Sequence, residues 1–454
     1  MSLAARAIRS AHVWAQDRLL RRVLRNSSFL LLGNVFNAVM SIVTANLLGA
    51  QGLGVLGAII AFVSNVNRLL SFRMGEAVVR YVGGNLARGD KTRAAAAVKV
   101  LGLTEAVTSL AAYGALALLA PWGARTFAHD AGATQLFLIY GVSILANLTT
   151  ETANGILQVG NHYRTQALIN FAQSLLTAAL IAAGAVMKAG LTWILMAYLA
   201  GKIILGLSPI VMAFIWLPRM LGAGWWRAPI SLLPERRKMA RFALSTNFSG
   251  TISMLARDSE VLWVNYFFSP LEGGYFRIAQ VLINLVVMPV TPFISTTYPE
   301  ITRFITTRQW PHLRSLLKRV TLIAGAWTGG VTLGLVLLGR QLLFSPWSLF
   351  GKTFYIYRAD LQPGFWVLLI LLVGYGVANT WFWNRSLLLG FGLADFALWV
   401  GFAGMLLKTG LGFLLVPAGG YLAEAGLLTA YLGGTVAVLT WRGLRALSRA
   451  EREP

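Results

Sequence analysis

Long apolar runs, separated by short charged breaks, dominate the chain from about residue 27 onward. Twelve such runs lie near 27–48, 53–72, 95–120, 134–157, 165–187, 190–217, 242–268, 274–297, 315–340, 362–390, 394–416 and 420–440. Each is about as long as the roughly 20-residue helix that crosses the hydrocarbon core of a bilayer. They are too long and too continuous for the ~10-residue alternating strands of a membrane barrel. The pattern predicts an all-α polytopic membrane protein of about twelve transmembrane helices. It divides into a basic amphipathic segment over 1–26, a six-helix lobe over 27–217, a linker over 218–241, a second six-helix lobe over 242–440 and a basic tail over 441–454.

The two lobes read as copies. At an offset of 220 residues, Asn46–Gly54 falls on Tyr266–Gly274, Arg88 on Arg308, Lys99 on Arg319 and Val100 on Val320. An even number of spans separates the copies, so both insert the same way up, related by a pseudo-twofold axis along the membrane normal. Two parallel lobes of this kind predict a central cavity loaded by rocking of one lobe against the other.

Composition agrees with the pattern. Apolar residues make up 57% and charged residues 12%, mean hydropathy is +0.65 and the net charge is +23. A soluble domain is nearer 25% charged, so an ordinary cytosolic enzyme and a disordered chain are both excluded. The basic excess does not point to nucleic acid, because it sits in the links. Arg6, Arg9, Arg18, Arg21, Arg22 and Arg25 precede the first span; Arg80, Arg88, Lys91 and Arg93 follow the second; Arg219, Arg227, Arg236, Arg237, Lys238 and Arg241 follow the sixth. Arg303, Arg308 and Arg314 follow the eighth, and Arg442, Arg445, Arg449 and Arg452 the twelfth. Every second link is basic, which places both termini in the cytoplasm and those links against anionic lipid. The link holding Arg340, Lys352 and Arg358 is the exception. The first 25 residues suit a surface helix at the inner leaflet, with a cleaved signal as the alternative. There is no Cys, which removes disulfides and cysteine-ligated metals.

Charges inside spans are costly, at roughly 2.5–3.5 kcal/mol on insertion scales, and so mark cavities or partners. In the second span Arg73, Glu76 and Arg80 share a helix face. In the seventh, Arg257 and Glu260 are spaced to pair, beside Asp258. The fourth carries a stripe of Asn147, Glu151, Asn154 and Gln158, and the fifth Gln166, Asn170, Gln173 and Thr177. The first carries Asn34, Asn37 and Ser41, and isolated charges are Glu105, Lys202, Arg277, Arg385, Asp395 and Lys408. Amide stripes also serve as glue between helices, and Arg68, Arg80, Arg277 and Lys408 read as snorkelling near span ends. Arg73–Glu76 and Arg257–Glu260 read as ion pairs or as cavity groups. Glu151 has no basic neighbour on its own helix and reads as facing a water-filled cavity, where a carboxyl suits proton coupling. Basic groups match or outnumber acids, which favours an anionic cargo, since guanidinium groups fork onto phosphate oxygens. The four His residues show no metal-ligand spacing, and neither a Walker motif nor a G-x-S-x-G elbow occurs. No cofactor, metal or catalytic group is indicated.

Four stretches resemble the polysaccharide transporter, or O-antigen flippase, family of the multidrug/oligosaccharidyl-lipid/polysaccharide exporter superfamily. They are Leu47–Gly54, Gly75–Tyr81 followed by Arg88-Gly89-Asp90, Phe268–Tyr275, and Tyr298-Pro299. Their order, with the length, the number of spans and the repeat, carries the resemblance over most of the chain. It implies a two-lobe flippase that moves a polyprenyl-pyrophosphate-linked oligosaccharide across the bacterial inner membrane by alternating access, as a monomer and without enzymatic activity. The pyrophosphate would meet Arg73, Arg257, Lys202 and Arg385, with Asn147 and Asn154 beside it in the cavity. Glu151, Glu260, Glu76 and Asp258 would tune the field or couple to H+ or Na+. Glu260 falls where members carry an acid before the third motif; near Arg73, many carry an acid instead. A cation-coupled multidrug or metabolite antiporter is the alternative within transporters. A membrane glycan polymerase or glycosyltransferase is the alternative among enzymes; it calls for a long external loop or an Asp-rich catalytic link, whereas the longest external link, about 341–361, holds one Asp, Asp360.

Overall fold

Glycine sets the corners of this bundle. In the computed structural model, which describes residues 18–233, 236–349 and 352–452, helix α1 runs over Arg18–Leu70 but turns at Gly49, whose φ of 66° is open to glycine at little cost. The last long helix, α14 (Ala394–Ala450), turns in the same way at Gly420, φ 75°. Between them lie α2 (Lys91–Gly123), α3 (Thr134–Ala146), α4 (Thr150–Val159), α5 (Tyr163–Val186) and α6 (Leu191–Leu221). The second half contains α7 (Arg236–Ser253), α8 (Glu260–Phe267), α9 (Pro270–Val287), α10 (Thr291–Thr306), α11 (Trp310–Phe344), α12 (Gly364–Thr380) and α13 (Asn384–Gly390). The surface helix expected over 1–26 falls largely outside the described residues.

Among the described residues, nine helical stretches are long and apolar enough to cross a membrane. Eleven of the twelve apolar runs map onto them, because α1 and α14 each carry two runs around a glycine corner. The seventh run is divided among α7, a π-helical turn over Met254–Asp258, and α8, and so is not one of the nine. The outward faces are apolar and bare: Val186 is 86% exposed, Leu118 83% and Leu414 72%. In water this would be unfavourable; in lipid it is what a helical span requires. The chain is a multi-pass α-helical membrane protein. Among the described residues the one sheet is a small hairpin, β1 (Pro346–Leu349) paired antiparallel with β2 (Lys352–Tyr355), in the link between α11 and α12.

The 220-residue offset survives as a symmetry of contacts. A Cβ on Gly54 would lie 1.7 Å from the Pro270 carbonyl oxygen, and one on Gly274 would lie 1.9 Å from that of Ala50. These two contacts exchange under the offset, since Pro270 is the counterpart of Ala50 and Gly274 that of Gly54. α1 and α9 therefore cross backbone to backbone around a pseudo-twofold axis. The cores follow suit: Leu262 of the second lobe is buried in the first lobe's core, and its counterpart Ile42 packs against the second. Ala50, just beyond the Gly49 corner, donates its N–H to Asp360 at 3.1 Å. Asn46 donates to the Ile356 carbonyl oxygen at 2.7 Å and accepts from the Arg358 N–H at 3.0 Å. These bonds tie the Gly49 corner of α1 to the link between α11 and α12.

Candidate functional site

The fourth apolar run is not one helix. α3 stops at Ala146 and α4 starts at Thr150, so the middle of the run is a three-residue break. A break inside a membrane frees backbone groups that need partners. Glu105, on α2, supplies them: its carboxylate accepts from the N–H of Glu151 at 2.9 Å and of Thr152 at 2.8 Å, and from the Thr152 hydroxyl at 2.5 Å. A carboxylate at a helix N-terminus also faces the positive end of the helix dipole. The Thr150 hydroxyl donates to the Gly206 carbonyl oxygen at 2.9 Å. Only a glycine fits there, because a Cβ on Gly206 would come within 2.5 Å of the Ala146 carbonyl oxygen. Glu105, read from the sequence as an isolated charge, is the residue that holds this break.

The break opens a cavity of about 380 Å³ inside the first lobe. Arg68, Arg73, Glu151, Lys202, Asn147 and Asn154 are among its lining residues. A second cavity, of about 210 Å³, lies between the lobes and shares Arg68, Arg73 and Glu151 with the first; Glu76, Asn247 and Arg385 are among its other polar lining residues. Seven of the ten residues singled out from the sequence therefore meet around two adjoining spaces: Arg73, Lys202, Arg385, Asn147, Asn154, Glu151 and Glu76.

The pairings differ from those the helix spacing suggested. Arg73 does not pair with Glu76. It forks onto Glu151 of α4, with Nη2 at 2.7 Å and Nε at 3.0 Å from one carboxylate oxygen. This is the basic partner that Glu151 lacked on its own helix, and both side chains stay half exposed, 50% and 37%. Arg68 does not snorkel: it pairs with Asp258 of the other lobe at 2.5 Å. The Arg73 N–H donates to Asn247 Oδ1 at 2.7 Å, a second inter-lobe tie. Arg385 reaches Ser249 Oγ at 3.4 Å. Lys202, midway along α6, makes no hydrogen bond or ion pair among the described residues, and it faces the first cavity.

Three of the singled-out residues lie elsewhere. Arg257 lines neither cavity; it is exposed at the end of the π-helical turn and makes no ion pair among the described residues. Its i, i+3 spacing to Glu260 does not make a pair, because the helical path breaks between them at Ser259. Glu260 instead turns into the second lobe, where it binds Lys408, which also reaches Glu424 at 2.8 Å. The side chains of this triad are 0–4% exposed. Lys408 is accordingly a core residue and not a snorkelling one. Asp258 serves as the partner of Arg68. The stripes also divide: Asn37 donates to Ser174 at 3.2 Å as glue between α1 and α5, whereas Gln166 and Asn170 line the cavity. The cavity also draws in Asn67, Ser71 and Tyr140, which no periodicity marked out.

A profile of the polysaccharide biosynthesis protein family matches residues 23–305. No curated protein is recognisably similar to the chain in sequence. Solved structures are similar in fold. An inward-facing multidrug resistance MATE family transporter of the MOP superfamily superposes with a TM-score of 0.70 at 14% identity, over 93% of this chain and 96% of that one. The lipid II flippase MurJ, in an inward closed conformation, superposes with a TM-score of 0.69 at 12% identity, over 94% and 90%. A MOP superfamily transporter from Pyrococcus furiosus, described as having a binding pocket of reversed polarity, gives 0.59 at 15% identity, over 94% of each chain.

Proposed function

Since the chain belongs to the polysaccharide biosynthesis protein family, we propose that it is a flippase for a polyprenyl-pyrophosphate-linked oligosaccharide, working by alternating access in the bacterial cytoplasmic membrane, with both termini cytoplasmic. It moves its cargo without transforming it, and it works as a monomer. The observation that carries this reading is the Lys202 ammonium, without a counter-ion among the described residues, on the wall of a cavity that also holds Arg68 and Arg73. A cation inside a membrane bundle needs an anion. The carboxylates nearby are engaged: Glu105 with the backbone of α4 and Glu151 with Arg73. A pyrophosphate is a dianion or more and accepts from ammonium and guanidinium donors alike. The apolar tail stays in lipid and needs no dehydration.

Alternating access requires that the lobes separate where they now touch. Arg68–Asp258 and Arg73–Asn247 are the ties on the cavity side. An incoming phosphate competes with Asp258 and Glu151 for the two guanidinium groups, which links loading to release of these ties. H+ or Na+ coupling acts on carboxylates that border the two cavities, Glu151 and Glu76 foremost. The test is export of lipid-linked glycan in cells that depend on this chain. Lys202→Met and Arg73→Met should each lower export at least tenfold with normal amounts of protein in the membrane. Arg257→Leu, which alters neither cavity, should leave export near normal. Normal export by Lys202→Met would overturn the reading.

A further inference from the structure

The larger cavity has two chemically different walls. Its cations, Arg68, Arg73 and Lys202, are donors only. Opposite in character are the amides of Asn147, Gln166 and Asn170. Each spends its NH2 group on a main-chain carbonyl oxygen: Asn147 on that of Ser143 at 2.6 Å, Gln166 on that of Asn154 at 3.1 Å, and Asn170 on that of Gln166 at 2.8 Å. A carbonyl oxygen can only accept, so these bonds fix which way round each amide stands. The side-chain oxygen is then the free end. None of the three oxygens accepts a hydrogen bond among the described residues. The wall is a set of acceptors waiting for donors.

Phosphate oxygens cannot satisfy it, because they are acceptors themselves. Sugar hydroxyls and acetamido N–H groups can. Resting on the flippase reading above, we propose that Asn147, Gln166 and Asn170 form a sugar-recognition wall, which reads the hydroxyl and amide donors of the first sugar beside the pyrophosphate. Specificity for the glycan then lies in the first lobe, one helix face away from the cations that hold the phosphates. A cavity of about 380 Å³ is within the roughly 300–1,000 Å³ usual for small-ligand sites, enough for a diphosphate and a sugar and not for a whole repeat unit. Sites built to pair a ligand's donors discriminate strongly against analogues that lack them, because their own polar groups are otherwise left unpaired.

The test compares two probes on purified protein in lipid nanodiscs: a polyprenyl pyrophosphate, and the same lipid bearing one N-acetylhexosamine. The wild-type chain should bind the sugar-bearing lipid at least tenfold more tightly. Gln166→Leu and Asn170→Leu are close in size to the native residues and sit one turn apart on α5. Each should bring the ratio of the two affinities to within about threefold of unity and leave the affinity for the bare lipid unchanged. Lys202→Met should weaken both lipids alike and keep their ratio. A wild-type ratio near one, or a ratio that survives both leucine variants, overturns the sugar wall and leaves the flippase reading standing. Failure of the wild-type chain to bind either lipid overturns both.

Discussion

The two lobes carry similar charges to opposite ends. In the first, Arg73 and Glu151 meet at the edge of a cavity and remain half exposed. In the second, Glu260, Lys408 and Glu424 meet where side chains are 0–4% exposed, and neither cavity reaches them. The difference follows from the helices that bear them. The fourth run breaks at mid-length and cannot close against its neighbours, so its charges face a cavity. The Lys408 triad sits instead where α8 and α14 pack together, so its charges must neutralise one another. A half-exposed pair exchanges readily with a ligand, whereas a buried one is fixed by the cost of separating it. Charge content alone therefore does not identify a transport site; charge beside space does.

Single substitutions test this contrast. The largest effect should come from Lys408→Met, which leaves two buried carboxylates without their base. Removing one partner of a buried pair costs about 3–5 kcal/mol, so the thermal midpoint in detergent should drop sharply. A midpoint unchanged by Lys408→Met would mean that the triad is not a structural element. Next comes Gly274→Ala, which forces a methyl group onto the Ala50 carbonyl oxygen at the lobe crossing. Overpacking of this kind costs about 1–3 kcal/mol, and here the strain falls on the contact between lobes. A cysteine pair at Asn46 and Ile356, in a chain with no native Cys, should cross-link readily in the parent and poorly with Gly274→Ala. Arg73→Met should cost only about 0–1 kcal/mol of stability, as exposed pairs do, while removing export; a large fall in stability would erase the difference between the lobes.

The smallest effect belongs to the surface pair Arg314–Glu451, at 2.6 Å outside both lobes' cavities. The Arg314 guanidinium holds the Glu451 carboxyl below its usual value. A depressed carboxyl contributes stability that is present above the unfolded value and lost as pH falls through the folded one. Exposure and salt limit it to about 0–1 kcal/mol. Glu451→Gln should thus shift the midpoint slightly at neutral pH and not at all below the folded value; a shift that persists in strong acid would assign the effect to packing.

Sequence by itself determined a good deal here. Hydropathy marked the apolar runs, because every span must present lipid with an unbroken apolar face. The 220-residue offset set Gly54 against Gly274, and a backbone contact repeated by symmetry demands the same small residues in both copies; that these glycines lie inside crossing helices and not in turns was decided by the packing. Seven of the ten proposed site residues do border the cavities, since a polar group within a span has few other places to go. What the sequence did not determine was who pairs with whom. Helical spacing offers partners three or four residues away, yet Arg73 found Glu151 at a separation of 78 residues, Arg68 found Asp258 at 190 and Lys408 found Glu260 at 148. Such partners are chosen by which helix faces come together and by where a helix stops. The break after Ala146, held by Glu105 from another helix, and the turn at Ser259, which sends Glu260 inward and leaves Arg257 outside, are tertiary facts. They arise because a freed backbone group inside a membrane must find a partner, and only the packed bundle decides which one is in reach.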